Sequence, residues 1–476
     1  MEDCIVQPAE IVDRIRRFGS SIALVSPAGE VIRYATLAEQ VQQVAARLSE
    51  LLGATSQVTC VIERPSIPWI VTLYALMWRC YQVRLLSTQT PLMLLQSKTI
   101  ADRPLSRTST IELSALFTSR STARLIGQER RQHQETPALT LIRTSGSSGE
   151  PKDVALSFAN HWFNALGSHQ NLPFGEGDRW LLSLPLYHVS GLSLLFRALV
   201  AGGTLVLADS WRLLPKLSVD YVSFVPLQLA RLLQSTEGIQ ALQRLKAVLL
   251  GGAAASQAVL EKAFHLGIPV RTTYGLTETA SQVTTLPATR DFPKWLSAGK
   301  LLPYRQLRII NGEICVAGEV LASGYWTSTG LEPLPLREGF FPTGDIGELD
   351  SDGFLFVRGR RDTMFQSGGV KIFPEEIEKA LFRIPGITGA WVVPVAHPEY
   401  GHRPIAFVEW ERTMVSTPSE SALREQLREW LDRYKIPDRI LPLPAEFRGK
   451  MKVPRKALQA YVERWVKQEG GKLPKT

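Results

Sequence analysis

The sequence predicts an α/β protein in which a large N-terminal domain of α/β layers, with a β subdomain, is followed by a small α+β domain. Three observations predict it. Up to about residue 290, apolar strand-like runs alternate with amphipathic helical patterns, the mark of parallel α/β sheets. From about 298 to 358 the chain changes to short β runs separated by turns. After "GRRD" (359–362) a shorter unit begins with helices and strands of its own. The domain boundary is therefore drawn near Asp362, giving 1–361 and 362–476.

In order, "TLAEQVQQVAARLSELLG" has helical spacing and "SQVTCVIE" reads as a strand. "IPWIVTLYALMW" is too short to span a bilayer and fits a buried helix. "RWLLSLPLYH" precedes the apolar "GLSLLFRALVAGG", and "TLVLA" follows. "DYVSFVPLQLARLLQ" runs from strand into helix; "LKAVLLGGAAASQAVLEKAFHLG" and "VRTTYGLTETASQ" read the same way. "YRQLRIINGEICVAG" and "GELDSDGFLFVRG" supply the β subdomain. In the small domain, "FPEEIEKALFRI" has Pro374 near its first turn, acids just behind and "PG" at its end. "AWVVPVA" and "RPIAFVEW" are strands. "SALREQLREWLDRY" sets Leu423, Leu427 and Leu431 on one helical face and stops before Pro437.

Composition narrows the function. The chain has 476 residues, 45% hydrophobic and 21% charged, enough for two or three cored domains. No eighteen-residue apolar run occurs, which argues against a membrane span. The opening "MEDCIVQPAEIVDRIRRFG" is neither a secretory signal nor a transit peptide. Cys4, Cys60, Cys80 and Cys315 are scattered without a CxxC, which suits reduced thiols in the cytoplasm and offers no metal site. His397 and His402 are no zinc pair, because Pro398 and Gly401 spoil a shared helical face. The net charge of +9 invites nucleic acid, yet no strong basic block exists and polyanionic small molecules fit equally.

"RTSGSSGEPKD" (143–153) concentrates small hydroxyl residues, glycines and one lysine. Glycine lets a backbone approach phosphate oxygens closely, hydroxyls add donors, and lysine adds charge. It is not a Walker A loop, which needs GxxxxGK[ST] opening a helix. Here Lys152 is followed by "VALSF", a strand pattern, so the loop joins two strands. A plain surface turn fits the loop alone just as well.

Its companions are "LPLYHVSG", "LLGGA", "TTYGLTE", "TGD", "GRRD" and "GKMKVPR", in that order. Together these motifs closely resemble the acyl-adenylate-forming superfamily of acyl-CoA ligases, adenylation domains and firefly-type luciferases, over roughly residues 140–460. "WLLSLPLYHVSG", "LLGGAAA", "FQSGGVKIFPEEIE" and "YGHRPIAF" are most similar to the branch acting on 2-succinylbenzoate. The resemblance implies an N-terminal AMP-binding domain and a mobile C-terminal lid hinged at Asp362. It also implies formation of an acyl-AMP from ATP with loss of pyrophosphate, and then transfer to the thiol of coenzyme A, in menaquinone or phylloquinone synthesis.

By the same resemblance, Thr144, Ser145, Gly146, Ser147, Ser148, Gly149 and Lys152 wrap the β- and γ-phosphates. Glu278 holds magnesium, Thr277 meets the α-phosphate, Tyr274 and Gly275 border the adenine, and Gly251 and Gly252 leave room for the nucleotide. Asp345 takes the ribose hydroxyls, with Arg360 beside it. His188 lines the acyl pocket. Lys452 bridges the carboxylate and α-phosphate, although Lys450 directly follows the glycine of the usual motif and remains an alternative. Arg197, which interrupts an apolar helix, meets the substrate's second carboxylate with help from Ser190; its bland alternative is an arginine snorkelling to solvent. An aryl- or fatty-acyl–CoA ligase, or a non-catalytic nucleotide- or nucleic-acid-binding protein, stays open. The sequence leaves homo-oligomerisation open too.

Overall fold

The computed structural model describes residues 7–52, 55–88, 110–112, 124–129, 139–144, 152–253, 255–411, 417–447, 453 and 455–468. The chain divides into two compact units. The first comprises Met1–Gly252, Leu266–Arg308 and Cys315–Pro342; the second comprises Ala253–His265, Ile309–Ile314 and Thr343–Thr476.

The first unit contains two large sheets. In one, Ile22–Val25, Thr204–Leu207, Arg179–Leu182, Tyr221–Phe224, Ala247–Leu250 and Val270–Leu276 lie side by side and parallel. Thr204–Leu207, Tyr221–Phe224 and Ala247–Leu250 are buried at every residue, as strands covered on both faces must be. Antiparallel strands finish both edges: Val31–Arg33 on one side, Ser281–Thr285 and Lys300–Leu301 on the other. The second sheet has eight strands, with Thr55–Ile62, Gln82–Ser87 and Thr140–Thr144 parallel at its centre.

Helices Tyr34–Leu52, Ile67–Trp78, Phe158–Asn171 and Val189–Ala201 fill the core of this unit. "IPWIVTLYALMW" is a buried helix, capped by the Ser66 hydroxyl accepting from the Trp69 amide. Ser157 and Asn160 form a reciprocal capping box that starts Phe158–Asn171. Among the described residues no helix is long and apolar enough to cross a membrane.

One expected helix is absent. "VRTTYGLTETASQ" is a strand, Val270–Leu276, then a single 3₁₀ turn, Thr277–Thr279, then an antiparallel strand, Ser281–Thr285. Ala280 (φ 55°) and Ser281 (φ 138°) turn the chain back before a second helical turn can form. Gly275 permits the return, since a Cβ there would stand 1.7 Å from the Ser281 carbonyl oxygen.

In the second unit, Val370–Ile372, Phe365–Ser367, Gly401–Trp410 and Ile387–His397 form an antiparallel series, and Arg439–Pro442 adds parallel to Gly401–Trp410. Helices Pro374–Leu381, Glu420–Leu427 and Arg455–Gln468 accompany them. "SALREQLREWLDRY" is helical only to Leu427. Beyond it the amides of Arg428, Glu429 and Trp430 reach back three residues, a tightened turn that still buries Leu431.

Candidate active site

The glycine- and serine-rich loop is framed by a hairpin. Thr140–Thr144 and Lys152–Leu156 pair antiparallel, with Thr144 opposite Lys152 and its hydroxyl 3.5 Å from the Lys152 carbonyl. Ser145, Gly146, Ser147, Ser148 and Gly149 lie outside the described residues, as do Lys450 and Lys452. The hairpin base is fixed by charge: buried Asp153 accepts two bonds from Arg143, at 2.9 and 3.1 Å, and meets Arg84 at 3.2 Å. The loop's anchors are thereby held still.

Lys152 is exposed. Its Nζ stands 4.7 Å from the ring centroid of Tyr325, on the neighbouring strand Gly324–Thr327. The same tyrosine donates through its hydroxyl to Glu278 Oε1 at 3.0 Å. One aromatic ring thus joins Lys152 to the glutamate of "TTYGLTE".

Glu278 and Thr277 occupy the 3₁₀ turn. The Thr279 hydroxyl, bonded within that turn to Leu276 and Ser281, pins its shape. Asn164 Nδ2 braces it from the helix behind, bonding the Thr279 and Gln282 carbonyls at 2.9 and 3.0 Å. Non-glycine residues held in sparsely populated backbone regions cost energy and persist where the surroundings over-determine them. Here the surroundings do. Tyr274 and Gly275 precede the turn on Val270–Leu276. Gly251 and Gly252 end Ala247–Leu250; a Cβ at Gly251 would press on Thr273 Cγ2 at 2.7 Å, and Gly252 has φ +79°.

"LPLYHVSG" leads into helix Val189–Ala201. His188 is its N-cap residue, exposed, with its ring 4.7 Å from that of Tyr187. Ser190 is exposed in the first turn. Gly191 is required there, because a Cβ would lie 2.2 Å from the Pro185 carbonyl oxygen.

Arg197, on the same helix, does not snorkel: it is 4% exposed. Its guanidinium lies 4.8 Å from the Trp180 ring centroid and donates from Nη2 to Gln282 Oε1 at 2.5 Å. Nε and Nη1 are buried with no hydrogen-bond partner among the described residues. No carboxylate pairs with it there, and burial pushes its pKa down to about 9. At neutral pH it still carries its charge. Arg305 is also buried, bonded by Nε to the Gln282 carbonyl at 2.9 Å and by Nη2 to the Asn164 carbonyl at 3.2 Å. Burial and then the charge of Arg197 push its pKa down to about 9. Gly167, in the helix interior, makes room for it, since a Cβ would meet Arg305 Nη1 at 2.0 Å.

The second unit gathers the remaining predicted residues. "TGD" lies inside strand Phe341–Leu349, where Gly344 has φ +78°. Asp345 faces Arg360 across the Leu355–Arg360 pairing. Arg360 donates to Asp345 at 3.2 Å and to Asp362 at 2.9 Å, so three residues singled out in the sequence form one ion-pair chain. Arg455, the arginine of "KVPR", bonds Glu378 at 2.8 Å and Glu375 at 3.0 Å. Among the described residues no three His, Cys, Asp or Glu side chains group as a metal cage.

Sequence reasoning missed Tyr325, Trp180, Gln282 and Arg305. Gln282 and Tyr325 stand in short stretches, "TASQ" and "GYW", that nothing local marks as functional.

A model of the AMP-binding enzyme family matches residues 83–326, and one of the AMP-binding enzyme C-terminal domain matches residues 376–448. The 2-succinylbenzoate–CoA ligase of Geobacillus kaustophilus is 37% identical over 355 residues, covering 71% of this chain and 70% of that one. The solved o-succinylbenzoate CoA synthetase (MenE) of Bacillus subtilis, in complex with the acyl-adenylate intermediate OSB-AMP, is similar at 28% identity and a TM-score of 0.77, covering 95% of this chain and 96% of that one. The same enzyme in complex with ATP and magnesium ion is similar at a TM-score of 0.76 and 28% identity, covering 91% and 95%.

Proposed function

Since the chain belongs to the AMP-binding enzyme family, we propose that it is an ATP-dependent ligase joining 2-succinylbenzoate to coenzyme A, acting in the cytoplasm on the route to a menaquinone or phylloquinone. A carboxylate is a poor acyl donor because its leaving group would be oxide. Its oxygen attacks the α-phosphorus of ATP, pyrophosphate leaves, and the thiol sulfur of coenzyme A then displaces AMP to give the thioester. Nearly all the catalytic work is positioning and neutralising anions.

The residues divide that work. Thr144, Ser145, Gly146, Ser147, Ser148, Gly149 and Lys152 hold the β- and γ-phosphates, and the rigid base Arg143–Asp153–Arg84 supports that role. Thr277 donates to the α-phosphate. Glu278 suits magnesium, because this ion takes one or two carboxylates and fills its other positions with phosphate oxygens and water. Magnesium, when bound, offsets phosphate charge. Tyr274, Gly275, Gly251 and Gly252 border the adenine, and Asp345 and Arg360 serve the ribose. His188 and Ser190 face the acid. Lys452 draws the reacting carboxylate and the α-phosphate together, and Asp362 is the hinge about which the C-terminal domain, 362–476, presents first that lysine and then the thioester-forming face.

One observation carries the substrate choice: Arg197 is buried, charged and without a carboxylate partner among the described residues. Burying an unpaired charge is expensive, and a substrate with a second carboxylate repays that cost. A fatty or simple aryl acid would not.

A panel of carboxylic acids tested for ATP–pyrophosphate exchange and thioester formation checks this reading. 2-Succinylbenzoate should give the largest kcat/KM; preference for a monocarboxylate would overturn the assignment. Lys452→Ala should cut acid-dependent exchange about 1,000-fold, the scale of losing one transition-state electrostatic group. It should leave the reaction of preformed acyl-AMP with coenzyme A within a few-fold. If Lys450→Ala produced the larger loss, the catalytic lysine would be Lys450.

A further inference from the structure

Arg197 can serve a carboxylate only if its guanidinium is held in place without being neutralised, and Gln282 meets both conditions. We propose that Gln282 is a positioning residue for acid specificity, gripping Arg197 by one N–H while leaving its charge and its other donors for the substrate. This rests on the dicarboxylate reading above.

The orientation of the Gln282 amide follows from its neighbours. Oxygen and nitrogen of an amide are told apart by the hydrogen bonds they make. Gln282 Nε2 lies 2.6 Å from the Thr285 hydroxyl and 3.3 Å from the Thr273 hydroxyl. Both hydroxyls reach the Thr284 carbonyl, at 2.8 and 2.7 Å, and lie 3.0 Å from each other, so their protons have acceptors other than the glutamine. Each is then able to accept from the NH₂ group that faces them. The amide oxygen is left to face Arg197 Nη2, at 2.5 Å. Were the amide reversed, its NH₂ would meet a guanidinium that cannot accept.

The backbone of Gln282 is held as firmly. Its carbonyl accepts from Arg305 Nε and Asn164 Nδ2, and the residue is 2% exposed. Trp180 lies against the guanidinium. With ring and amide fixing the plane, Nε and Nη1 keep a set direction and no partner among the described residues.

The neutrality of Gln282 matters as much as its acceptor. A glutamate of the same length would also accept from Nη2, but it would pair with the arginine and compete with the incoming carboxylate. A neutral amide anchors without competing. Arg305 brings a second positive charge near Arg197, offset in part by the charge of Glu319.

Two variants test this, with 2-succinylbenzoate and its analogue esterified at the second carboxylate as probes. Gln282→Met keeps the volume and removes the acceptor. It should raise KM for 2-succinylbenzoate about tenfold, the scale of one hydrogen bond to a charged group, while KM for ATP stays within about twofold. The preference for diacid over ester should shrink by a similar factor. Gln282→Glu should raise KM for the diacid further and leave the ester nearly unaffected. In an Arg197→Ala background neither substitution should change KM for the diacid again. A merely structural role would instead lower kcat and thermal stability for both probes alike, and that outcome overturns the proposal, as does an unchanged diacid KM. If Gln282→Met does not fold, Gln282→Glu carries the test alone. A wild-type enzyme showing no preference for the diacid would instead refute the underlying substrate assignment, so the two failures are distinguishable.

Discussion

In the first unit Arg197 and Arg305 are buried among neutral acceptors, whereas in the second unit Glu378 is buried against a charged partner. Glu378 accepts from the Val392 amide at 2.7 Å and from Arg455 at 2.8 Å. Asp345 likewise has Arg360, and within the first unit itself Asp153 has Arg143 and Arg84. A paired buried charge is explained by the fold that contains it. An unpaired one is a standing cost to the folded state, and it points to something outside the chain. The pKa directions agree: burial lowers both arginines to about 9, with no carboxylate on Arg197 to oppose it, while at Glu378 the charge of Arg455 pulls against the upward push of burial.

The sharpest way to break this contrast is to remove one charge from each region. Arg197→Met should raise KM for 2-succinylbenzoate about a hundredfold, the scale of truncating one member of a buried charge pair. It should leave KM for ATP within about twofold. The same substitution should stabilise the ligand-free protein by about 1 kcal/mol, because an uncompensated buried charge is replaced by an apolar chain. A loss of stability with no change in KM would place Arg197 among the structural charges.

Glu378→Ala should do the reverse. Leaving Arg455 with Glu375 as its one carboxylate partner among the described residues should cost about 3 kcal/mol of stability and leave KM for the acid unchanged. The pH dependence sharpens the point. Burial pushes the Glu378 carboxyl from 4.5 up to about 7. The folded protein therefore holds this proton in a range where the unfolded chain has released it, so stability falls as pH rises from about 4.5 to 7. Denaturant unfolding across that window should show this slope in the wild type and lose it in Glu378→Gln. An unaltered slope would mean that Arg455 keeps Glu378 ionised throughout.

Much of this was legible beforehand, for identifiable reasons. Alternating apolar strands and amphipathic helices reflect periodicity, which short-range sequence carries, and Ile67–Trp78, Tyr221–Phe224 and Pro374–Leu381 follow it. The strand after Lys152 could be read because "VALSF" is apolar and β-favouring. The hairpin 270–285 could not be read, since nothing in "LTETASQ" forbids a helix and the reversal depends on Ala280, Ser281 and the clearance at Gly275. Charges in sequence carry no label of depth. Arg197 in an apolar helix was at least conspicuous, but Arg305 begins the mixed stretch "RQLRII" and only packing reveals that it is buried. Gln282 and Tyr325 act through partners distant in sequence, Arg197 and Glu278, 85 and 47 residues away.

Tyr325 tests whether the contrast extends to half-buried groups, where the expected effect is smallest. Its hydroxyl fixes one oxygen of Glu278 while its face receives Lys152, so a single side chain orients an anion and a cation that, on the proposed function, serve the same phosphates. Tyr325→Phe keeps the face and removes only the hydroxyl. The loss is one hydrogen bond to a partly solvated carboxylate, worth about 1 kcal/mol or less. The magnesium concentration giving half-maximal ATP–pyrophosphate exchange should therefore rise about threefold, because a carboxylate no longer held by its neighbour must be ordered when the ion binds. KM for 2-succinylbenzoate should not move, since neither Arg197 nor Gln282 touches this ring. A change in acid KM with an unchanged magnesium requirement would mean that Tyr325 shapes the acyl side, and the division of labour between Glu278 and Arg197 would have to be redrawn.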